Sequence, residues 1–420
     1  MTSSDLGWQR RSLGEICSFK AGGAFKPDLQ GRSKGEYPFI KVSDMSRPEN
    51  DRFIVDAANW VSEADCQILR STKFERGTIV FAKIGEALKA NRFRVLTRPT
   101  LIDNNMMGAF PRSDVIEPEF LLYLLHELDF PGQAAGSALP YLRVADLTKL
   151  ACDVPDRREQ RRIVWLLSSF ADKIENNRRI AETLEQIVAT LFKARFVHFV
   201  DQDDLVDSEI GQIPRGWAVA AVGNVLPVVG GGTPSTKQQQ YWEGGTHCWA
   251  TPKDLSGLAF PVLLDTGRKI TDTGVAEISS KLLPKRTVLL SSRAPIGYTV
   301  MSMVEVAVNQ GFIAIPPSDQ IPSEYILFWL RQNMDRIKSN AGGTTFAEIS
   351  KRAFRPLPML VPPHAVLSEF GSLTRPLIDR IAQCAAEVCL LSSIRGSLLP
   401  RLISGKVRVP PEYASALGVA

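Results

Sequence analysis

The sequence predicts an α+β protein in which two globular units related by a pseudo-twofold axis are separated by two long antiparallel coiled-coil spacer helices. Three observations carry this. The chain repeats itself at an offset that drifts between 205 and 210 residues. Each copy closes in an amphipathic stretch with a heptad seam. Between the copies lies a short acidic segment followed by Gly and Pro, the composition of a linker.

The first unit spans 1–155 and the second 216–362. Trp8, Leu13-Gly14-Glu15 and Lys20-Ala21-Gly22-Gly23 are answered by Trp217, Val222-Gly223-Asn224 and Val229-Gly230-Gly231-Gly232. Further on, Phe39 to Asp44 is answered by Trp249 to Asp254, Gly77 to Val80 by Arg286 to Leu289, Asn104-Asn105 by Asn309-Gln310, and Pro118 to Leu121 by Ser323 to Ile326. Short strand-like runs (Thr78 to Phe81, Thr287 to Leu290, Gly311 to Ile315) mix with one short helix per unit (Glu119 to Leu128, Glu324 to Lys338), which is α+β patterning.

The first spacer helix is expected over 156–200, with Ile163, Leu167, Phe170, Ile174, Leu184, Val188 and Leu191 on its seam. The second is expected over 363–408, with Phe370, Leu377, Ile381, Val388, Leu391 and Leu398. With Asn177 and Ala181 in the first and Thr374, Cys384 and Arg395 in the second filling the remaining seam positions, steps of four and three alternate in both, as a heptad requires. A continuous helix of that length runs about 60 Å, too long to wrap one small core. Pro155 and Pro362-Pro363 precede the two helices, where proline is tolerated. Residues 201–215 read as the acidic, Gly- and Pro-containing linker and 409–420 as a tail. Each seam needs a partner, and antiparallel pairing is the economical choice, because parallel pairing makes the second unit bridge back along a whole helix.

At 420 residues, 44% hydrophobic and 23% charged, the chain has the composition of globular material in about two to three domains. Residues 1–155 carry 20 basic and 20 acidic groups and 210–362 carry 15 and 10, so the formal net charge of +5 falls on the second unit. That leaves DNA open without pointing to it. No signal peptide and no membrane-spanning run is evident. Six cysteines without a C-x-x-C pair and four scattered histidines argue against zinc, so a reduced cytoplasmic chain without metal is expected. His247-Cys248 is the one pair that invites a metal reading, and neighbours on a strand point to opposite faces.

Catalytic signatures are missing as well. There is no phosphate-cradling G-x-x-x-x-G-K-[ST], no acidic residue followed two positions later by lysine, and no N-P-P-[FYW] or D-P-P-Y tetrapeptide. Gly230-Gly231-Gly232 lacks the spacing of a dinucleotide loop. No catalytic centre is expected in this chain.

With the repeat and the spacer helices in place, the sequence resembles the specificity subunit of type I restriction-modification systems. The likeness rests on Gly231-Gly232-Thr233-Pro234-Ser235, Tyr241-Trp242, Gly244-Gly245 and Trp249 through Asp254-Leu255. It rests also on the helical run Glu159-Gln160-Arg161-Arg162-Ile163-Val164 through Asp172-Lys173-Ile174, Arg178-Arg179-Ile180 and Thr183-Leu184-Glu185. In the first half, Gly22-Gly23 is followed by Ala24-Phe25-Lys26-Pro27 instead of Thr-Pro. The resemblance implies two target recognition domains, each reading half of a split double-stranded DNA sequence, with the helices as a ruler. It implies docking to two modification subunits that bind S-adenosylmethionine and methylate adenine, and to restriction subunits that use ATP and magnesium. This chain itself would hold no cofactor and touch no membrane. The alternative class is a scaffold that carries two protein-binding domains on a coiled pair without nucleic acid.

DNA contact needs donors at phosphates and amide or guanidinium forks at base edges. Arg293 and its counterpart Lys83 follow apolar strands into turns, where the plain reading is a solvated cation. Asn104, Asn105, Asn309 and Gln310 suit adenine edges, or cap turns. Thr233, Ser235 and Lys237, with Lys20 and Lys26 in the first copy, suit phosphate in a turn, or belong to a plain flexible loop. Lys41 and Ser43, matching Thr251 and Lys253, complete the set. Tyr241-Trp242 either stacks on DNA or forms local core. The helix bases Arg157, Arg158, Arg161, Arg162, Arg178 and Arg179 suit methyltransferase docking, or merely face solvent.

Overall fold

The computed structural model describes residues 7–47, 49–136, 139–293, 295–342 and 347–410. They divide into two compact units. The first holds the chain up to Asp172 together with the segment from Ser392, and the second runs from Lys173 to Leu391.

The first unit begins with β1 (Gln9–Ser12) and β2 (Cys17–Ala21), followed by β3 (Tyr37–Ile40), β4 (Phe53–Ile54) and β5 (Trp60–Val61). Then come β6 (Ile79–Ala82), β7 (Phe93–Leu96), β8 (Leu101–Ile102), β9 (Met106–Pro111), helix α1 (Pro118–Glu127) and β10 (Ala151–Val154). A five-stranded sheet takes the order β2-β9-β6-β7-β4, a three-stranded sheet the order β5-β3-β8, and β1 pairs with β10. The five-stranded sheet is antiparallel except at β4 and β7. Ile79, Val80, Phe81 and Ala82 are all buried, as a central strand covered on both faces should be. Proline at the first position opens α1. Phe120, Leu121, Leu124 and Leu125 of α1 share a core with Ile79, Phe81, Phe93 and Val95 of the sheet.

Helix α2 (Arg157–Phe196) starts in the first unit and ends in the second. After it, β11 (Leu205–Ser208) and β12 (Gly211–Pro214) form an antiparallel hairpin. The expected linker is therefore ordered. Val206 and Ile213 pair across it, Ile213 is buried, and Gly211 turns the chain at φ +103 while the Ser208 hydroxyl donates to its carbonyl. Acidic composition hid an apolar pair, Val206 and Ile213, that meets only when the segment folds back on itself.

The second unit continues with β13 (Ala218–Ala221), β14 (Val229–Gly230), β15 (His247–Ala250), β16 (Val262–Leu263), β17 (Arg268–Ile270) and β18 (Val288–Ser291). It closes with β19 (Thr299–Ser302), β20 (Val306–Val308), β21 (Phe312–Ile315), α3 (Ser323–Gln332), β22 (Pro358–Val361) and α4 (His364–Ile403). The sheets are β14-β21-β18-β19-β16, β17-β15-β20 and β13-β22. Strand for strand this is the first unit again, with parallel pairs at the same two places, β16 with β19 and β15 with β20. The single helix expected over Glu324 to Lys338 is broken at Asn333, and a second short helix, Met334–Ser339, follows.

Within the second unit α2 and α4 run antiparallel. Asn177 donates to Glu387 at 2.6 Å and Arg195 pairs with Glu369, so one chain number rises as the other falls. Ile174, Ala181 and Val188 of α2 and Phe370, Ile381, Cys384 and Val388 of α4 are buried, with Leu184 and Leu377 half-buried. In the first unit Ile163 and Leu167 share a core with Leu398, Leu402 and Ile403, and Phe170 is half-buried; Leu391, at the end of the second unit, is half-buried too. Leu191 leaves the expected seam. It is 38% exposed, and Phe192 and Phe196 are buried in its place against Tyr325 and Phe370. A straight helix drifts about 20° per heptad. Here the buried stripe turns with it, by steps of four, toward the globular core.

Candidate nucleic-acid interface

In the first unit four loops meet at one end of the sheets: the turn after β2, the turn after β3, the turn after β6, and the link between β8 and β9. Gly23 N–H donates to Ile102 O and Gly22 N–H to Met106 O, both at 3.0 Å. A side chain at Gly22 would place its Cβ 2.0 Å from the Asp103 carbonyl oxygen, so only glycine permits this crossing. Asp103 N–H donates to Ile40 O at 3.0 Å, and Lys83 N–H to Asn105 O at 2.9 Å.

Two carboxylates hold these loops. Asp103, 7% exposed, accepts from Asn105 N–H at 3.0 Å and from its side-chain amide at 3.4 Å. Burial pushes the Asp103 carboxyl up, while the Asn105 hydrogen bonds and the Lys41 ammonium pull it down. Asp44, 1% exposed, accepts Lys41 N–H with one oxygen and Ala58 N–H with the other, each at 2.8 Å.

The second unit repeats three of these four backbone bonds and both carboxylate or amide ties. Gly232 N–H donates to Val308 O at 2.9 Å, Asn309 N–H to Ala250 O at 3.0 Å and Ser292 N–H to Gly311 O at 2.8 Å. A Cβ at Gly231 would lie 1.8 Å from Val308 O. Asn309 accepts from Gly311 N–H at 2.9 Å, and Asp254 accepts Thr251 N–H and Gly267 N–H, each at 2.8 Å.

These bonds correct the sequence alignment twice. Asp103 is the counterpart of Asn309 and Asn104 of Gln310, one position off the expected match of Asn104 with Asn309. Lys83 corresponds to Ser292 rather than to Arg293. Ile84 takes the place of Arg293, since Ile84 bridges to Tyr141 and Arg293 to Glu348. An Asx residue that bonds the backbone two positions on fixes each link, and sequence similarity alone aligned the amides instead.

The expected residues fall on this frame. Lys20, Lys26, Ser43, Asn104 and Asn105 are exposed, and Lys41 and Lys83 half-buried. Lys41 donates to Gln30 and lies 5.4 Å from the Phe25 ring. Asn105 is committed to Asp103, which leaves Asn104 the freer amide of the pair. In the second unit Thr233, Ser235, Lys237, Lys253 and Gln310 are exposed, and Thr251, Arg293 and Asn309 half-buried. The Thr233 hydroxyl donates to Gln310 at 2.6 Å, the Thr251 hydroxyl is held by Asp254 at 2.7 Å, and Arg293 lies 3.7 Å from Glu348.

Trp242 belongs to local core. It packs edge-on against Trp249 at 4.9 Å and its indole donates to Ser235 O at 3.1 Å. The sequence reading missed Arg268, whose guanidinium lies 3.6 Å over the Trp242 ring, and Arg143, which stands over Tyr141 beside the Lys83 loop. No spacing rule marks either. His247 faces Asp272 at 2.7 Å, while Cys248 accepts from Lys269 at 3.0 Å. Several helix bases serve the first unit internally: Arg157 and Arg161 both bond Glu117 at 2.7 Å, and Arg162 pairs with Glu159 at 3.3 Å. Arg179 is held by Glu175 at 2.8 Å. Among the described residues no helix is long and apolar enough to cross a membrane.

The family model described as the type I restriction modification DNA specificity domain matches residues 6–186 and 214–366. The MjaIX specificity subunit, from a type I restriction enzyme of Methanocaldococcus jannaschii, is 40% identical over 155 residues, 36% of this chain and 36% of that relative. The HindI specificity subunit of Haemophilus influenzae is 21% identical over an aligned length of 444 residues, 88% of this chain and 95% of the relative. Among solved structures, the S subunit of a type I restriction-modification system from M. genitalium matches with a TM-score of 0.62 at 15% identity, covering 95% of this chain and 96% of that one. At that identity the likeness is one of fold.

Proposed function

The chain belongs to the type I restriction-modification DNA specificity family, and from that premise we propose that its two units each read one half of a split, asymmetric DNA target. One observation carries this reading. The same four loops are tied by three equivalent backbone hydrogen bonds in both units, yet they present different side chains: Lys41 where the other has Thr251, Lys83 where it has Ser292, Asn104 where it has Gln310. A shared frame with exchanged donors is what two readers of unlike base sequences need.

The long helices then set the number of base pairs left unread between the halves. Chemistry is delegated: two modification subunits bind S-adenosylmethionine and methylate adenine, and restriction subunits use ATP and magnesium, so this chain contributes addressing and docking. Mapping methylated adenines across the genome, in cells carrying this gene with its methyltransferase partner and in cells lacking only this gene, tests the proposal. A motif of two unlike halves with a fixed gap that vanishes on deletion is the expected result. Identical maps would sink it.

A further inference from the structure

Among the cations at the reading end of the second unit, Arg268 is set apart from Lys237 and Lys253 by an aromatic ring beneath it. It is exposed, and its guanidinium makes no hydrogen bond or ion pair with any described residue. The group is nonetheless held. It lies 3.6 Å from the centroid of the Trp242 ring and 5.4 Å from that of Trp249. Both rings are themselves fixed, because Trp242 donates to Ser235 O and Trp249 to Gly232 O, each at 3.1 Å. The backbone beneath is clamped as well: Gly267 N–H is taken by Asp254, and the Thr266 hydroxyl donates to Arg268 O at 2.7 Å while accepting Trp249 N–H. These contacts place the guanidinium beside the loops that carry Thr233, Thr251 and Gln310.

A flexible lysine suffices for a phosphate, whereas a stacked guanidinium keeps its paired donors in one plane at little further entropic cost. In the major groove a planar donor pair matches O6 and N7 of guanine and no other base. We propose that Arg268 is a specificity-determining residue that reads a guanine in the half-site of the second unit; this rests on the DNA-reading function proposed above. The first unit has Asn59 at the equivalent place, opposite Phe39 as Arg268 is opposite Trp249. Asn59 is 6% exposed, with its amide oxygen occupied by Gly31 N–H. That half-site is read without an arginine here.

The test is the adenine-methylation map of cells with the whole assembly, carrying the unaltered chain, Arg268→Lys or Arg268→Ala. Arg268→Ala should turn one required guanine in one half of the motif degenerate and Arg268→Lys, which can still reach O6 and N7 without the stacked plane, should weaken it less, with the other half and the gap unchanged in both. Discrimination at that position should fall roughly 5- to 100-fold in duplex binding by the purified complex. An unchanged motif in Arg268→Ala overturns the inference. So does a uniform loss across all sites in Arg268→Ala that Arg268→Lys restores, since that marks a phosphate contact. Absence of any split motif with the unaltered chain would instead overturn the functional reading on which the inference stands.

Discussion

Arg52 and Arg286 come from unrelated positions in the repeat and bind equivalent partners. Arg52 bonds Glu119 and faces Asp172 at 3.6 Å; Arg286 bonds Glu324 and reaches Asp379 at 2.7 Å. The two glutamates open α1 and α3, and the two aspartates lie 207 residues apart on α2 and α4. Arg286 itself stands where the first unit has Gly77, in a turn with φ +69 against +86. The two sites differ in exposure. Glu324 is fully buried, whereas the Glu119 side chain is 34% exposed and Asp172 79%. Arg286→Met, which leaves the buried Glu324 only the more distant Arg375 at 3.7 Å, should cost about 3 kcal/mol. Arg52→Met should cost about 1 kcal/mol, because solvent screens what it leaves behind. Denaturant unfolding of the two variants checks the order, and equal losses would contradict it. Sequence similarity could not have paired these arginines, since only their partners are repeat-equivalent. The same holds at the reading end: Gly22 and Gly231 were visible as a repeat, but Arg268 becomes a candidate only when Trp242 is seen beneath it.

The helices were the most legible elements, because a seam of buried residues needs nothing beyond its own periodicity to be found. Ile163, Ile174, Val188, Phe370, Ile381 and Val388 all follow it. The pattern fails where the environment changes, at Leu191, once α2 packs against Tyr325 of α3 as well as Phe370 of its partner helix. Short loops were harder to read, since their register is set by single hydrogen bonds such as those of Asp103 and Asn309, and a one-residue slip costs nothing in sequence similarity. If the helices set the gap, seven residues added to each, keeping the seam in phase, lengthen them by about 10 Å. The unread gap in the methylated motif should then grow by up to about three base pairs of 3.4 Å, with both half-sites unchanged. A gap of the original length would remove the helices from the measuring role.

Over the whole molecule the charge is uneven: the first unit is neutral over residues 1–155 and the second carries the net +5 over 210–362. Net charge therefore cannot be what holds DNA to the first unit. On the DNA-reading proposal its attraction comes from the placement of Lys20, Lys26, Lys41 and Lys83 at one end, where Asp44 and Asp103 are turned inward at 1% and 7% exposure. Each ammonium that neutralises a phosphate releases counterions, so binding by the assembled complex should weaken steeply and linearly in log salt, with about 0.9 of slope per contact. Lys20→Ala and Lys26→Ala together should flatten that slope by up to about 1.8 while leaving the methylated motif intact, because phosphate contacts position without specifying. A scaffold that joins proteins through its two units predicts something else. Its association with partners would respond weakly to salt and would be indifferent to these lysines. Titrating duplex binding of the unaltered and doubly substituted complexes from low to physiological salt separates the two, and a flat response in both would assign the loop ends to protein rather than DNA.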